Sequence, residues 1–233
     1  MNRRITLAIV AALFGMPGIA AQDAGMANTL TVKEKAAGWR LLFDGKTTAG
    51  WRGYRQDSIP DGWQAVDGAL TRIGRGGDII TIDEFDDFEL AVDWKLGPGG
   101  NSGIFYRVVE GADLMWKMAP EMQLLDDAGH KDLTPEQYTG ANYALHAPTS
   151  KAAKPPGNWN QARIVVKGPH VEHWLNGVKV VDYDLWTDEW QRRVKASKFK
   201  DDERYGMAKK GHIGLQDHGD LVSFRNIKVR PLK

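Results

Sequence analysis

The feature that most constrains the fold of this chain is a two-residue alternation of apolar and polar side chains. In the segment DFELAVDWKL, residues 87–96, every even-numbered residue is apolar, and three of the four residues that separate them are charged. Successive side chains of a β-strand point to opposite faces, so this pattern predicts a strand with one buried face. Similar segments, bounded by Gly, Pro, Asn or Asp, predict strands at 103–109, 121–125, 162–168, 170–184, 211–216 and 221–230. Many short strands at regular spacing are typical of an antiparallel β-sandwich or jelly roll, so we expect an all-β fold.

Two dipeptides, Asp67-Gly68 and Asn176-Gly177, lie between apolar runs. Both central residues of a type I′ turn need a positive φ, which Asn, Asp and Gly adopt more readily than other residues. Each dipeptide therefore predicts a tight hairpin between antiparallel strands. Residues 134–140 and 185–205 lack the alternation and are expected to be irregular or helical.

The N-terminal residues have the layout of a secretory signal. Arg3 and Arg4 precede an apolar run over residues 5–14, and Gly18-Ile19-Ala20 forms a small-x-small cleavage site. We therefore expect residues 1–21 to be a signal peptide and the protein to be periplasmic or secreted. The apolar run is shorter than the roughly 20 residues of a transmembrane helix, so no membrane attachment is expected after cleavage.

The rest of the chain is typical of one domain. Residues 22–37 are expected to form a flexible N-terminal segment, and the domain is expected to cover residues 38–233. The chain has no cysteine, so a disulfide framework is excluded. Its net charge is +1 and it has no basic run interleaved with aromatic residues, which argues against nucleic-acid binding. The oligomeric state stays open.

Polar side chains share one face of the predicted strand EMQLL. Glu121 and Gln123 lie on that face about 7 Å apart, over two strand rises, while the apolar Met122 points to the other face. The polar face is either the floor of an active site or a solvated outer surface, and the flanking apolar strands favour the active site. The segment GLQDHG repeats the pattern, because Gln216 and His218 share a face if that strand continues.

A series of motifs, taken in order, resembles a known family. The motifs are LFDGKTTAGW, WQAVDGAL, GNSGIFYR, PEMQLLDD, GNWNQARIVVKG, HWLNG, SKF and GHIGLQDHGDLVSFRNIKVRPL. Over about residues 38–232 they resemble the 3-keto-disaccharide hydrolase family. The resemblance implies a concanavalin-A-like jelly-roll sandwich, export to the periplasm, and action on a carbohydrate whose sugar ring is oxidised at C3.

Elimination offers a route for cleaving such a substrate. A ketone at C3 acidifies the C2 hydrogen, so a base can remove it, and the C1 substituent can then leave before water adds. The route needs a base, an acid and a group that stabilises the enolate. Histidine can accept or donate a proton near neutral pH, so we expect His218 to act as acid or base with Glu121 as its partner. Arg107 is expected beside them, as an ion pair of Glu121 or in contact with substrate.

Further side chains are candidates for binding the substrate: Gln123, Gln216, Asn101, Trp159 and Lys200. Asn101 would bind a sugar hydroxyl, Trp159 would stack on a sugar ring, and Lys200 would bind an oxyanion. The segment DDAGHKD offers Asp126 and His130 as ligands for a divalent metal, which would stabilise the enolate. A charged, solvated loop is the alternative, and no other cofactor is expected.

Two other functions fit the same fold. A lectin-like carbohydrate-binding module would use the same face without turnover, although matched acid and base groups favour an enzyme. An ordinary glucanase would need two carboxylates beside the scissile bond. Concanavalin-like glucanases carry theirs in the frame E-x-D-x-x-E, and here the frame is Glu121-x-Gln123-x-x-Asp126. The amide at the middle position counts against that function.

Overall fold

The computed structural model describes residues 26–232, so the predicted signal peptide lies outside the described residues. The strands are β1 (Arg40–Leu41), β2 (Trp51–Gly53), β3 (Trp63–Val66), β4 (Ala69–Arg72), β5 (Ile79–Thr81), β6 (Phe88–Leu96), β7 (Asn101–Val108), β8 (Glu121–Leu125), β9 (Asn160–Lys167), β10 (His170–Leu175), β11 (Val178–Asp184), β12 (His212–Leu215) and β13 (Val222–Pro231). The helices are α1 (Val32–Ala36) and α2 (Asp188–Lys195), and short 3₁₀ helices cover Met115–Lys117 and Pro135–Gln137.

The strands form two antiparallel sheets, which confirms the predicted β-sandwich class. The larger sheet has the order β11-β10-β9-β6-β13-β4-β3, with β1 added beside β13, and the smaller has the order β2-β5-β12-β7-β8. In both sheets some neighbouring strands are far apart in the sequence, so residues from distant parts of the chain meet on one sheet face. The candidate site lies on the smaller sheet.

Both predicted hairpins are confirmed. Asp67 and Gly68 have φ values of 49° and 74°, and Val66 pairs with Ala69 across this turn. The second turn has φ values of 50° and 84° and joins β10 to β11. Positive φ at both central positions is the geometry of a type I′ turn.

The alternation of β6 places one of its faces in the core between the sheets. Its even-numbered residues, from Phe88 to Leu96, are each at most 3% exposed. The smaller sheet contributes Ile104, Tyr106, Met122 and Leu124 to the same core. Burying an apolar side chain of this size stabilises a fold by about 1.5–3 kcal/mol before entropy is counted. Because Met122 and Leu124 of β8 face this core, Glu121 and Gln123 lie on the opposite face of the strand.

The ordered part of the domain begins before Gly38, within the segment expected to be flexible. Asn28 is 8% exposed and exchanges two hydrogen bonds with Asn226: each backbone N–H donates to the other side-chain oxygen, at 2.6 and 2.8 Å. Thr31 caps α1 through a capping box with Glu34. The Asn28 side-chain amide also donates to the Gly68 carbonyl at 2.8 Å, and Glu34 pairs with Lys228, so residues 28–36 are tied to β13 and to the β3–β4 turn. Within residues 26–232, no helix combines the length and apolar character that a membrane crossing needs.

Candidate active site

The outer face of the smaller sheet is covered, and therefore is not a solvated surface. Phe105 and Val108 of β7 point away from the inter-sheet core and pack with Met115 and Ala119, which belong to the segment that follows β7. Beneath this cover Glu121 and Gln123 are only 4% and 3% exposed. A carboxyl group and an amide are thus held out of bulk water on one face of β8.

A cavity of about 120 Å³ lies over this face. Its lining residues are Asn101, Trp116, Glu121, Gln123, Tyr143, Lys198, Gln216 and His218. The structure brings together five residues that the sequence singles out, from β7, β8 and the segment that follows β12, and adds three that the sequence analysis missed. We call this the reaction cavity.

Glycine at position 103 makes room for the Glu121 carboxyl. Gly103 of β7 pairs with Gln123 of β8, and a Cβ atom built on it would lie 2.1 Å from the Glu121 Oε1. No side chain fits at that distance. The carboxyl therefore lies directly over the backbone of the neighbouring strand.

Burial dominates the electrostatics of Glu121. Removal of the carboxyl from water raises the pKa of Glu121 to about 8; nearby Lys198 opposes this rise and Asp78 adds to it. Its usual value is 4.5. The carboxyl is therefore mostly protonated at neutral pH, and its carboxylate form is an unusually strong base for an acidic side chain.

Lys198 supplies a cation to the same cavity. The residue as a whole is exposed, but its ammonium lies 4.3 Å from the ring centre of Tyr143 and 4.6 Å from that of Trp116. The aromatic faces attract the ammonium and hold it over the cavity. Burial lowers the pKa of Lys198, and the neighbouring Glu121 acts in the opposite direction.

The amide side chains of Gln123 and Gln216 lie in the cavity, and each has hydrogen-bonding groups available for a ligand. The Gln123 Nε2 donates to the Asn101 Oδ1 over a long 3.5 Å. The backbone of Gln216 is fixed, because its N–H donates to the Gly103 carbonyl and its carbonyl accepts from the Ser102 hydroxyl. The Gln216 Oε1 is buried and has no partner among the described residues. A buried acceptor of this kind is suited to a ligand hydroxyl.

His218 lies on the rim of the cavity in a loop that Asp217 holds in place. Strand β12 ends at Leu215, so the strand does not continue to His218. The Asp217 carboxylate accepts hydrogen bonds from the Arg72 Nε at 2.7 Å and from the backbone N–H groups of Gly76 and Gly77. Burial alone would raise the pKa of Asp217, but these donors lower it. The loop presents the exposed His218 imidazole to the cavity.

Comparison with known proteins identifies the family. The sequence profile of the 3-keto-alpha-glucoside-1,2-lyase-like domain matches residues 38–230, which is most of the chain. The chain belongs to this family. A 3-keto-disaccharide hydrolase from Bacteroides thetaiotaomicron is 37% identical, over 88% of this chain and 82% of that protein. The resemblance seen in the motifs is therefore confirmed.

Solved structures agree with this assignment. A proposed glycosyl hydrolase from Parabacteroides distasonis superposes with a TM-score of 0.84 at 37% identity, over 89% of this chain and 100% of that chain. A second one from the same organism gives a TM-score of 0.65 at 30% identity, over 83% and 99% of the two chains. Family membership makes the protein an enzyme that cleaves glycosidic bonds, as the sequence predicts.

The predicted place of Arg107 beside Glu121 is wrong. The strand register shifts near Arg107, whose φ is +53°, so the face that its sequence position predicts is not the face it occupies. Its guanidinium donates to the Asp86 carbonyl and to the Asp87 carboxylate, and lies over the ring of Trp186. In this family member Arg107 binds the segment just before β6 and does not line the reaction cavity.

Trp159 and Lys200 also lie outside the cavity. The Trp159 ring lies against Lys95 and Arg225 of the larger sheet. Lys200 lines a separate cavity beside α2, whereas Lys198, two residues earlier in the same SKFK segment, lines the reaction cavity. The segment has no regular period, so the sequence did not show which lysine points inward.

Asp126 and His130, which the sequence suggests as metal ligands, both contact the backbone of Gly99. The Asp126 carboxylate accepts from the Gly99 N–H at 2.8 Å, and the His130 Nε2 lies 3.0 Å from the Gly99 carbonyl oxygen. Within the described residues, the one group of three or more side chains close enough to share a metal is His170, Glu172 and Asp182, on β10 and β11. Asp126 and His130 therefore both contact the loop before β7, and their role as metal ligands stays a prediction.

Proposed function

We propose that this protein cleaves 3-keto-glycosides, including 3-keto-disaccharides, by removal of the C2 proton, elimination of the C1 substituent and addition of water. The observation that carries the proposal is the content of the reaction cavity: one carboxyl group, one ammonium and one imidazole. An ordinary glycosidase needs two carboxylates beside the scissile bond. Among the described residues that line this cavity, Glu121 is the one with a carboxyl group, which favours the elimination route.

We assign the base to Glu121. Its carboxylate takes the proton from C2, and the electron pair of the C–H bond forms the enolate of the C3 ketone. A pKa near the operating pH makes a base both available and strong, and the raised pKa of Glu121 meets this requirement. The Lys198 ammonium lies in the same cavity and stabilises the negative charge on the enolate oxygen.

His218 is assigned as the acid for the leaving group. It lies on the rim, where it lines both the reaction cavity and an adjoining one. When the enolate collapses, C1 and C2 become doubly bonded and the C1–O bond breaks, and the imidazolium of His218 gives its proton to the departing oxygen. Water then adds to C1 and gives a proton to the neutral imidazole of His218, while protonated Glu121 returns a proton to C2, so both groups regain their starting protonation states. The net reaction is hydrolysis.

Export is part of the proposal, and it rests on the signal-like residues 1–21. Among the alternatives, a carbohydrate-binding module needs amides and aromatic rings, which the cavity has. It does not need a buried carboxyl group with a raised pKa beside an ammonium, so the cavity favours the enzyme.

Activity on matched substrates tests the proposed reaction. We expect cleavage of a 3-keto-disaccharide and no comparable cleavage of its unoxidised parent, because only the ketone makes the C2 hydrogen acidic. Product release is measured by chromatography for both sugars under the same conditions. Binding of both sugars with turnover of neither would support the lectin, and turnover of the parent would support an ordinary glucanase.

Displacing the Glu121 carboxyl should lower turnover without removing it. Gly103→Ala places a methyl group where the Glu121 Oε1 lies, so the carboxyl must move. A misplacement of about 1 Å can cost about 10²-fold in rate, and we expect a loss of about that size in kcat on the 3-keto-disaccharide. Gly97→Ala is the matched control, because its new Cβ would meet its nearest neighbour at an ordinary 3.8 Å. Equal activity of the two variants would argue against the placement of Glu121.

A further inference from the structure

A second cavity, of about 290 Å³, adjoins the reaction cavity. Trp116, Gln216 and His218 line both cavities. Together they reach the size of small-molecule sites, about 300–1,000 Å³, whereas the reaction cavity alone is smaller. A substrate with its ring in the reaction cavity and its C1 oxygen near His218 would extend into the second cavity.

The two cavities differ in charge. Lys198 supplies a cation to the reaction cavity, whereas neither lysine nor arginine is among the described residues that line the second cavity. Three carboxylates line it: Asp78, Asp113 and Asp217. Asp217 is paired with Arg72, and Asp113 is paired with Lys117 at 2.8 Å. Asp78 is therefore the carboxylate of this cavity whose charge no ion pair among the described residues balances.

Asp78 has an acceptor available for a ligand. Its Oδ1 accepts one hydrogen bond, from the Asp217 N–H at 2.9 Å, which fixes the carboxylate. Burial raises the pKa of Asp78 to about 6, so the group is mostly ionised at neutral pH. Gln216 is 9% exposed, lines the same cavity, and has a buried Oε1 without a partner among the described residues. Both side chains offer acceptors to hydroxyl groups.

We infer that the second cavity is the leaving-group subsite and that Asp78 makes it select neutral, hydroxyl-bearing leaving groups, such as a neutral sugar or polyol, over anionic ones. This inference rests on the proposed function. Hydroxyl groups donate to Asp78 and to the Gln216 Oε1, and the Trp116 and Tyr54 rings form the wall on which a sugar ring can pack. A carboxylate on the leaving group would meet Asp78 without a balancing cation, and like charges disfavour binding.

Two 3-keto-disaccharides test this selection. One has glucose as the leaving sugar, and the other has the corresponding uronic acid. We expect the wild-type enzyme to have a lower kcat/KM for the uronic acid form. Asp78→Asn keeps an oxygen that can accept from Asp217 but removes the charge, and it should raise the ratio of uronic to neutral kcat/KM by about tenfold, because nearby like charges act at about this scale.

Control variants show whether a change in the ratio comes from the charge of Asp78, from any change in the charge of the protein, or from a folding defect. Asp184→Asn removes an exposed carboxylate from β11, at the far edge of the other sheet, and should leave the ratio unchanged. Asp113→Asn removes a carboxylate on the rim of the second cavity, and no buried group loses its partner. This variant should raise the ratio of uronic to neutral kcat/KM less than Asp78→Asn does. If Asp78→Asn fails to fold in a thermal melt, Asp78→Ser takes its place, because it also removes the charge and keeps a side-chain oxygen; a raised ratio in this variant supports the inference and an unchanged ratio overturns it.

Different experimental results would overturn the leaving-group subsite and the proposed function. Equal kcat/KM of the wild-type enzyme for the two keto sugars, or an unchanged ratio in folded Asp78→Asn, would overturn the leaving-group subsite while cleavage of 3-keto-glycosides stands. Absence of cleavage for both keto sugars would overturn the proposed function itself, and the inference with it.

Discussion

Glu121→Gln should lower turnover of a 3-keto-disaccharide by about 10²–10⁴-fold, the usual contribution of a positioned proton-transfer group. The amide keeps the shape of the side chain in its place over Gly103 but cannot accept the C2 proton. Substrate affinity should change little. Steady-state kinetics measures both quantities. Glu189→Gln is the matched control, because Glu189 is exposed on α2 and pairs with Arg193 on the same helix.

The pH profile identifies the role of Glu121. Since burial raises its pKa to about 8, a base role predicts an ascending limb of kcat/KM with its midpoint near pH 8. The glutamine variant should lose this limb. A wild-type profile that falls above pH 8 because of Glu121 would instead make it an acid and contradict the assignment. Near-full turnover in the variant would remove the carboxyl from the mechanism.

Glu121→Gln should also change how the stability of the protein depends on pH, which can be measured without substrate. Burial raises the folded-state pKa of Glu121 to about 8 from the usual 4.5, so the folded protein holds a proton that the unfolded chain has lost between these values. The contribution of Glu121 to the free energy of unfolding therefore falls as pH rises from about 4.5 to about 8. Glu121→Gln removes this dependence, and melting temperatures across the range should show the variant gaining stability relative to wild type as pH rises.

Lys198→Met should lower kcat by about 10²–10³-fold, the cost of losing one group that stabilises a developing oxyanion. Methionine keeps an apolar stem against Trp116 and Tyr143 but removes the positive charge. The ammonium also lowers the pKa of Glu121, so the ascending limb of the pH profile should move to higher pH in this variant.

Lys200→Met is the control, because this lysine is two residues away and lines a different cavity. It should keep near-wild-type turnover and an unchanged pH profile. Loss of activity in Lys200→Met with retention in Lys198→Met would reverse the assignment and restore the oxyanion role that the sequence suggests for Lys200. Equal loss in both variants would point to a general effect of charge on this segment.

Strand parity explains which parts of the site could be predicted. The alternation in EMQLL places Glu121 and Gln123 opposite the core, and the structure shows them there. The alternation fails at Arg107, because the strand register is irregular there and Arg107 has a positive φ. The sequence does not reveal this irregularity, since the position carries no glycine that would indicate a positive φ.

The residues that the sequence analysis missed come from segments without a regular period. Trp116 lies in a 3₁₀ helix, Tyr143 in a turn and Lys198 in a turn after α2. Their positions depend on how these segments fold over the sheet, which side-chain alternation does not describe. The motif SKF was a usable signal for Lys198, but the choice between it and Lys200 depends on packing against aromatic rings that only the structure brings together.

The most direct test of the account is whether the C2–hydrogen bond breaks during cleavage. A 3-keto-disaccharide that carries deuterium at C2 is compared with the unlabelled sugar, and the deuterium content of the released keto sugar is measured against isolated product kept for the same time. The account predicts that the wild-type enzyme cleaves the labelled sugar more slowly. The released product loses deuterium beyond this background to the extent that the Glu121 carboxyl exchanges with water before it returns its proton to C2. Equal rates together with full retention of deuterium would contradict removal of the C2 proton.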